Sequence, residues 1–176
     1  MSADEPAGVV VPLDLVAVGT RVIADHVEAE FGRPVVGRLV SQDVIPRLQP
    51  GRRLRTSGPV VHRHVRLVDA QPPHRHVAAC WALIAPDRLP DAVRAELGSG
   101  EPLDRLLTRH GVPWRGELLT DEGLVSPATE ASLDLSWLEP AGVVIELARV
   151  VSIGGDPVAI LIDEVPLRSS ALPAPA

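Results

Sequence analysis

Two periodicities divide this chain. Val22, Ile23, Val27 and Phe31 recur at helical spacing and Gly32 supplies a stop, which predicts a helix over about 21–31. Pro34 then opens Val35-Val-Gly-Arg-Leu-Val-Ser-Gln42 as a strand, and 43–58, with Pro46, Pro50 and four arginines, reads as a loop. Pro59 to Val68 and His76 to Ile84 are two further strand patterns, separated by Asp69-Ala-Gln-Pro-Pro-His74. Leu89 to Leu97, with Pro90 at its start and Gly98 just past its end, and Pro102 to His110, followed by Gly111, carry the signature of short helices. Val112 to Leu119 follows as a fourth strand. Residues 120–140 are acidic and proline-flanked, with Leu133, Leu135, Trp137 and Leu138 as anchors for a covering loop or short helix.

The chain closes on Glu146 to Leu167, two apolar arms joined at Gly154-Gly155-Asp156-Pro157, the last two strands. The sum is an α+β domain of about six antiparallel strands with helices at two places, rather than a regular β-α-β alternation. One domain over 13–168 is expected, between a frayed end at 1–12 and a low-complexity tail at 169–176.

Charge within that last hairpin is sparse. Arg149 lies on one arm and Asp163 and Glu164 on the other. Counting outward from a centre between Asp156 and Pro157 sets Arg149 opposite Glu164; a bulge would instead bring Asp163 onto the working face. A carboxylate in an aliphatic strand needs a partner or a task.

Composition narrows the function classes. The hydrophobic fraction is 45%, so a packed core is expected. Every basic residue is Arg, and Lys, Asn and Tyr are missing, a bias matching GC-rich codons and a high-GC bacterium. A net charge of −6 with 2% aromatics argues against nucleic acid as a partner. The stretch from Val9 to Val18, broken by Pro12 and Asp14, is too short and too polar to span a membrane. The lone Cys80 excludes an internal disulfide, and Met-Ser-Ala-Asp-Glu lacks a signal peptide's positive start, so a cytoplasmic location is expected.

Arg63, mid-strand between Val61 and Val65, is the foremost single candidate for a functional side chain. Trp114 and Arg115 are candidates to close a pocket from the fourth strand, Arg115 as a further anion contact. Two His-Arg-His triplets, 62–64 and 74–76, allow a metal alternative if a hairpin centred near Asp69 faces His64 to His74 and His62 to His76. If Arg63 faces the pocket, these histidines point the other way. Cys80 reads as a small buried hydrophobe, and Gly98-Ser-Gly100 as a helix terminator.

Four segments, in order, resemble the chorismate lyase-like proteins, which include chorismate pyruvate-lyases and, more distantly, effector-binding domains of bacterial transcription regulators. They are Val22-Ile-Ala-Asp-His-Val-Glu28 with Phe31-Gly-Arg-Pro-Val-Val36; Val61-His-Arg-His-Val-Arg-Leu67; Val77 to Pro90 with Gly100-Glu-Pro-Leu-Asp-Arg-Leu-Leu107; and the closing hairpin. The resemblance implies a six-stranded antiparallel sheet with flanking helices enclosing an internal ligand pocket, with Arg63 at the carboxylate-binding Arg and Glu164 at the acid, Asp163 being the alternative. It further implies a cofactor-independent lyase releasing pyruvate from chorismate or a related carboxylated cyclic substrate, without metal, with Arg149 and Arg115 as supporting charges. The family's Gly after Pro-Leu is Asp104 here, where an acid beside a dicarboxylate would repel it. That departure points to a variant scaffold recruited in secondary metabolism for another elimination, dehydration or cyclisation. The competing class is a non-catalytic effector-sensing module; with no helix-turn-helix before the first helix, it would act with a partner chain. A monomer or a homodimer is expected.

Overall fold

The structure, a computed structural model, describes residues 21–46, 54, 56–119 and 143–167. Helix α1 spans Ile23–Phe31 and ends at Gly32, whose φ of 62° is the left-handed conformation that a glycine cap accepts without strain. Strands β1 (Val35–Ile45), β2 (Val60–Asp69) and β3 (His76–Ile84) follow as a meander. A 3-10 turn (Pro86–Arg88) leads to two short helices, α2 (Asp91–Ala95) and α3 (Leu103–Arg109). Strands β4 (Arg115–Leu118), β5 (Val143–Ile153) and β6 (Asp156–Leu167) complete one antiparallel sheet in the order β1-β2-β3-β6-β5-β4. This is the α+β architecture expected from the patterning.

The helices pack on one face of the sheet. On β2, Val61, Arg63, Val65 and Leu67 point toward them, while His62, His64 and Arg66 point away. Ile23, Val27 and Phe31 of α1 pack on Val65, Leu67, Cys80 and Leu147, and Leu103, Leu106 and Leu107 of α3 on Val61, Ile84, Val151 and Leu161. Each such large side chain contributes roughly 1.5–3 kcal/mol by leaving water. Burial of α1 and α3 against the sheet therefore outweighs their short length and N-cap residues, Val22 and Pro102, that make no side-chain cap.

Several boundaries differ from the sequence reading. Strand β1 runs past Gln42 to Ile45 because Val44 and Ile45 continue the extended pattern until Pro46. Strand β4 begins only after Trp114, since Pro113 cannot supply a ladder N–H. The β5–β6 turn is the two-residue Gly154-Gly155, with φ of 61° and 93°, rather than a turn centred on Asp156 and Pro157. Two adjacent glycines tolerate the positive φ values that match hairpin twist. A register shift follows between Val151 and Ser152, leaving Val158 as the extra residue. Arg149 consequently pairs with Leu161, and Glu164 with Glu146, which corrects the expected Arg149–Glu164 pairing. The expected cover at 120–140 with Trp137, the frayed end at 1–12 and the tail at 169–176 lie outside the described residues.

Candidate functional site

Reading across the helix-facing side of the sheet, Arg63 on β2 pairs with Ala82 on β3, which pairs with Leu161 on β6, which pairs with Arg149 on β5. One step along, Val65, Cys80, Asp163 and Leu147 form the adjacent row. Strand alternation thus delivers two guanidiniums and one carboxylate to the face that α1 and α3 cover. Asp104, in the first turn of α3, adds the second carboxylate. All four side chains are 0–1% exposed, a formally neutral set of buried charges.

Arg149 is fully engaged. Its Nε donates to Asp163 Oδ2 at 2.9 Å, its Nη2 to Asp104 Oδ2 at 2.5 Å, and its Nη1 to the Arg21 carbonyl at 2.9 Å. The Trp114 ring lies 5.8 Å from the guanidinium carbon, and Trp114 Nε1 donates to Thr108 Oγ1 at 3.0 Å. Burial works against the Arg149 charge, but Asp163 and Asp104 hold the guanidinium protonated and push its pKa up. Asp104 Oδ2 also accepts from the Ile23 N–H at 3.1 Å, and its Oδ1 from the Arg105 N–H at 2.8 Å. One carboxylate therefore ties α1, α3 and β5 together.

Asp163 shares Arg149 with Asp104, so two carboxylates divide one cation. Burial raises the Asp163 carboxyl above its ordinary value, Arg149 opposes that rise, and Asp104 adds to it. Cys80, directly across from Asp163, is fully buried. That burial, then the negative charges of Asp163 and Asp104, push its thiol well above the ordinary range, the opposite of an activated nucleophile.

Arg63 is held differently. Its Nε donates to the Leu97 carbonyl at 2.7 Å and its Nη1 to the Glu101 carbonyl at 2.6 Å, so it latches the turn between α2 and α3 onto the sheet. Its Nη2 is buried with no hydrogen-bond partner, as is Asp163 Oδ1. Burial lowers the Arg63 pKa to about 10, with Cys80 and Glu101 opposing. Arg63, Asp163 and Asp104 line one cavity together with Cys80, Pro102 and Leu103. The cavity is small, about 10 Å³, the minimum for one water molecule. Arg63 and Asp163, each with one unpartnered buried polar atom, both line it.

The sequence candidates separate in this geometry. Arg63, Arg149, Asp104 and Trp114 converge. Glu164 does not: it lies opposite Ala79 on the other face, and Asp163 occupies the position beside Arg63. Arg115 is exposed on that other face, paired with Ser152. The histidine pairing of the metal alternative is absent as well, since His64 pairs with Trp81 and His62 with Leu83, and the His64 and Trp81 rings stack at 4.6 Å. His74 Nδ1 instead meets the Asp69 carbonyl. Sequence reasoning missed the Arg149–Asp104 pair; the available signal was that an arginine buried in a strand requires an acid from some other element.

No protein-family model matches the chain, and no curated protein matches it. Among solved structures it is similar to the ligand-binding domain of a protein assigned to the GntR family of transcriptional regulators, from Bordetella bronchiseptica, at 15% identity and a TM-score of 0.44. That match covers 79% of this chain and 92% of the other, and a likeness of this extent assigns neither ligand nor activity.

Proposed function

We propose that this chain is a non-catalytic module that binds a small carboxylated ligand through Arg63. The observation that carries the reading is the unpartnered, buried Nη2 of Arg63, a residue that lines a mostly apolar cavity together with Asp104 and Asp163. A buried donor without an acceptor costs about 1–3 kcal/mol, and a ligand oxygen recovers it. The acids around it are committed to structure: Asp104 accepts three hydrogen bonds and Asp163 holds Arg149. Neither is placed to shuttle a proton without breaking the pairing of a buried charge.

The cavity admits one ligand oxygen. A larger body needs the Leu97–Glu101 turn to lift from the sheet, and a carboxylate competing for the guanidinium weakens the two carbonyl contacts that hold that turn. Binding and turn release are then linked, which suits an effector-sensing module.

A second reading, the chorismate-type lyase, draws support from one feature: Arg63 and an acid, Asp163, line the same cavity, with burial raising the acid's pKa. One experiment separates the two. Chorismate, benzoate and 4-hydroxybenzoate are titrated into the protein by calorimetry and thermal shift while pyruvate is followed in a coupled assay. The binding module gives stabilisation of about 2.7 kcal/mol at a hundredfold excess over Kd, no pyruvate, and loss of the shift in Arg63→Ala. Pyruvate release that Asp163→Asn abolishes overturns it in favour of the lyase.

A further inference from the structure

Strand β1 is an edge of the sheet, and among the described residues no strand pairs with its free side. The four large hydrophobic residues exposed among the described residues, Val36, Leu39, Val40 and Val44, all lie on it, with Val44 67% exposed. Edge strands are ordinarily blunted by shortness, charge or proline. The opposite edge obeys that rule, because β4 has four residues and carries Arg115 and Glu117. β1 has eleven residues, no proline and one charge of each sign.

We propose that β1 pairs antiparallel with β1 of a second copy, joining two sheets about a two-fold axis. The register follows from faces and charge. The register shift between Leu39 and Ser41 switches the alternation, so Val36, Arg38, Ser41, Asp43 and Ile45 share the face away from the helices, while Gly37, Leu39, Gln42 and Val44 share the helix face. Setting Arg38 opposite Asp43 of the second copy places Val36 opposite Ile45, Leu39 opposite Gln42 and Gly37 opposite Val44, each pair on one face. The two-fold repeats the Arg38–Asp43 pair, so the only two charges on the strand are complementary at two symmetric positions. The extra residue, Val40, then lies beside Ser41 of the other copy at the axis, where the two bulges coincide. All ten residues from 36 to 45 take part, and the free backbone N–H and C=O groups of the edge find partners.

Light scattering after size exclusion, over a dilution series, reads the outcome. The wild-type mass is expected near twice 18.7 kDa. Arg38→Glu and Asp43→Arg each weaken association by about tenfold or more, and the double swap R38E/D43R restores it. Circular dichroism confirms that each variant is folded. Ser41→Cys, at the axis, gives an intermolecular disulfide on mild oxidation, a readout independent of charge reversal. A wild type that stays monomeric throughout, a dimer indifferent to both reversals, a swap that fails to restore association, or a Ser41→Cys protein that does not cross-link overturns the proposal.

Discussion

Arg149 donates its Nε to Asp163 at 2.9 Å although the residue directly across the hairpin from it is Leu161. The contact is diagonal, two residues along β6, and exists because Val158 is an extra residue and the turn closes on Gly154-Gly155. Removing one member of a buried ion pair leaves the other uncompensated. Arg149→Met is therefore expected to destabilise by about 3–5 kcal/mol in urea denaturation, whereas R149M/D104L/D163L recovers most of that loss. A triple variant no more stable than Arg149→Met would show that packing, not charge, dominates there.

Asp104→Gly would install the residue carried at this position by the chorismate lyase-like pattern that the sequence resembles. In this chain Asp104 accepts from the Ile23 N–H, the Arg105 N–H and Arg149, so the exchange removes three contacts and a helix-start acid. Destabilisation by about 3 kcal/mol is expected, with no gain of pyruvate release from chorismate. Thermal unfolding and the coupled assay on the same sample check both halves.

Gly37→Ala tests how tightly the Leu97–Glu101 turn is seated. A Cβ at Gly37 would stand 2.1 Å from the Gly100 carbonyl oxygen, a contact with backbone that cannot rotate away. A cost of about 1–3 kcal/mol is expected, with faster amide exchange confined to the turn that Arg63 holds. Exchange unchanged over 97–101 would mean that the turn is anchored elsewhere.

Stability should depend on pH through His64. Burial lowers its pKa from 6.5 to about 4, helped by Arg66, His76 and His62. Between those values the unfolded chain binds the proton and the folded chain does not, so stability is full above about 6.5 and falls as pH drops toward 4. Asp163, raised by burial, slopes the other way above its ordinary carboxyl value, where the folded state keeps a proton the unfolded state has lost. Water reaching the half-buried His64 ring trims its share below about 1.4 kcal/mol per pH unit. His64→Gln should flatten the profile between pH 4 and 6.5, which denaturation at several pH values measures directly.

Periodicity and punctuation alone determined the element order of this protein, because hydrophobic alternation and the Gly and Pro stops are local properties. The helix ending at Gly32, β2 and β3 almost to the residue, and the antiparallel class all follow from such patterns. The face of Arg63 was left open by alternation alone, and the structure turns it inward with Val61 and Val65. Which acid meets which base, by contrast, depends on how the elements pack. One extra residue in β6 moves every later side chain relative to β5, so the choice between Asp163 and Glu164 hung on a bulge that no local pattern announces. Asp104 and Arg149 stand 45 residues apart in the chain, and their pairing exists because desolvation of a guanidinium under a helix demands a carboxylate from whatever element closes over it.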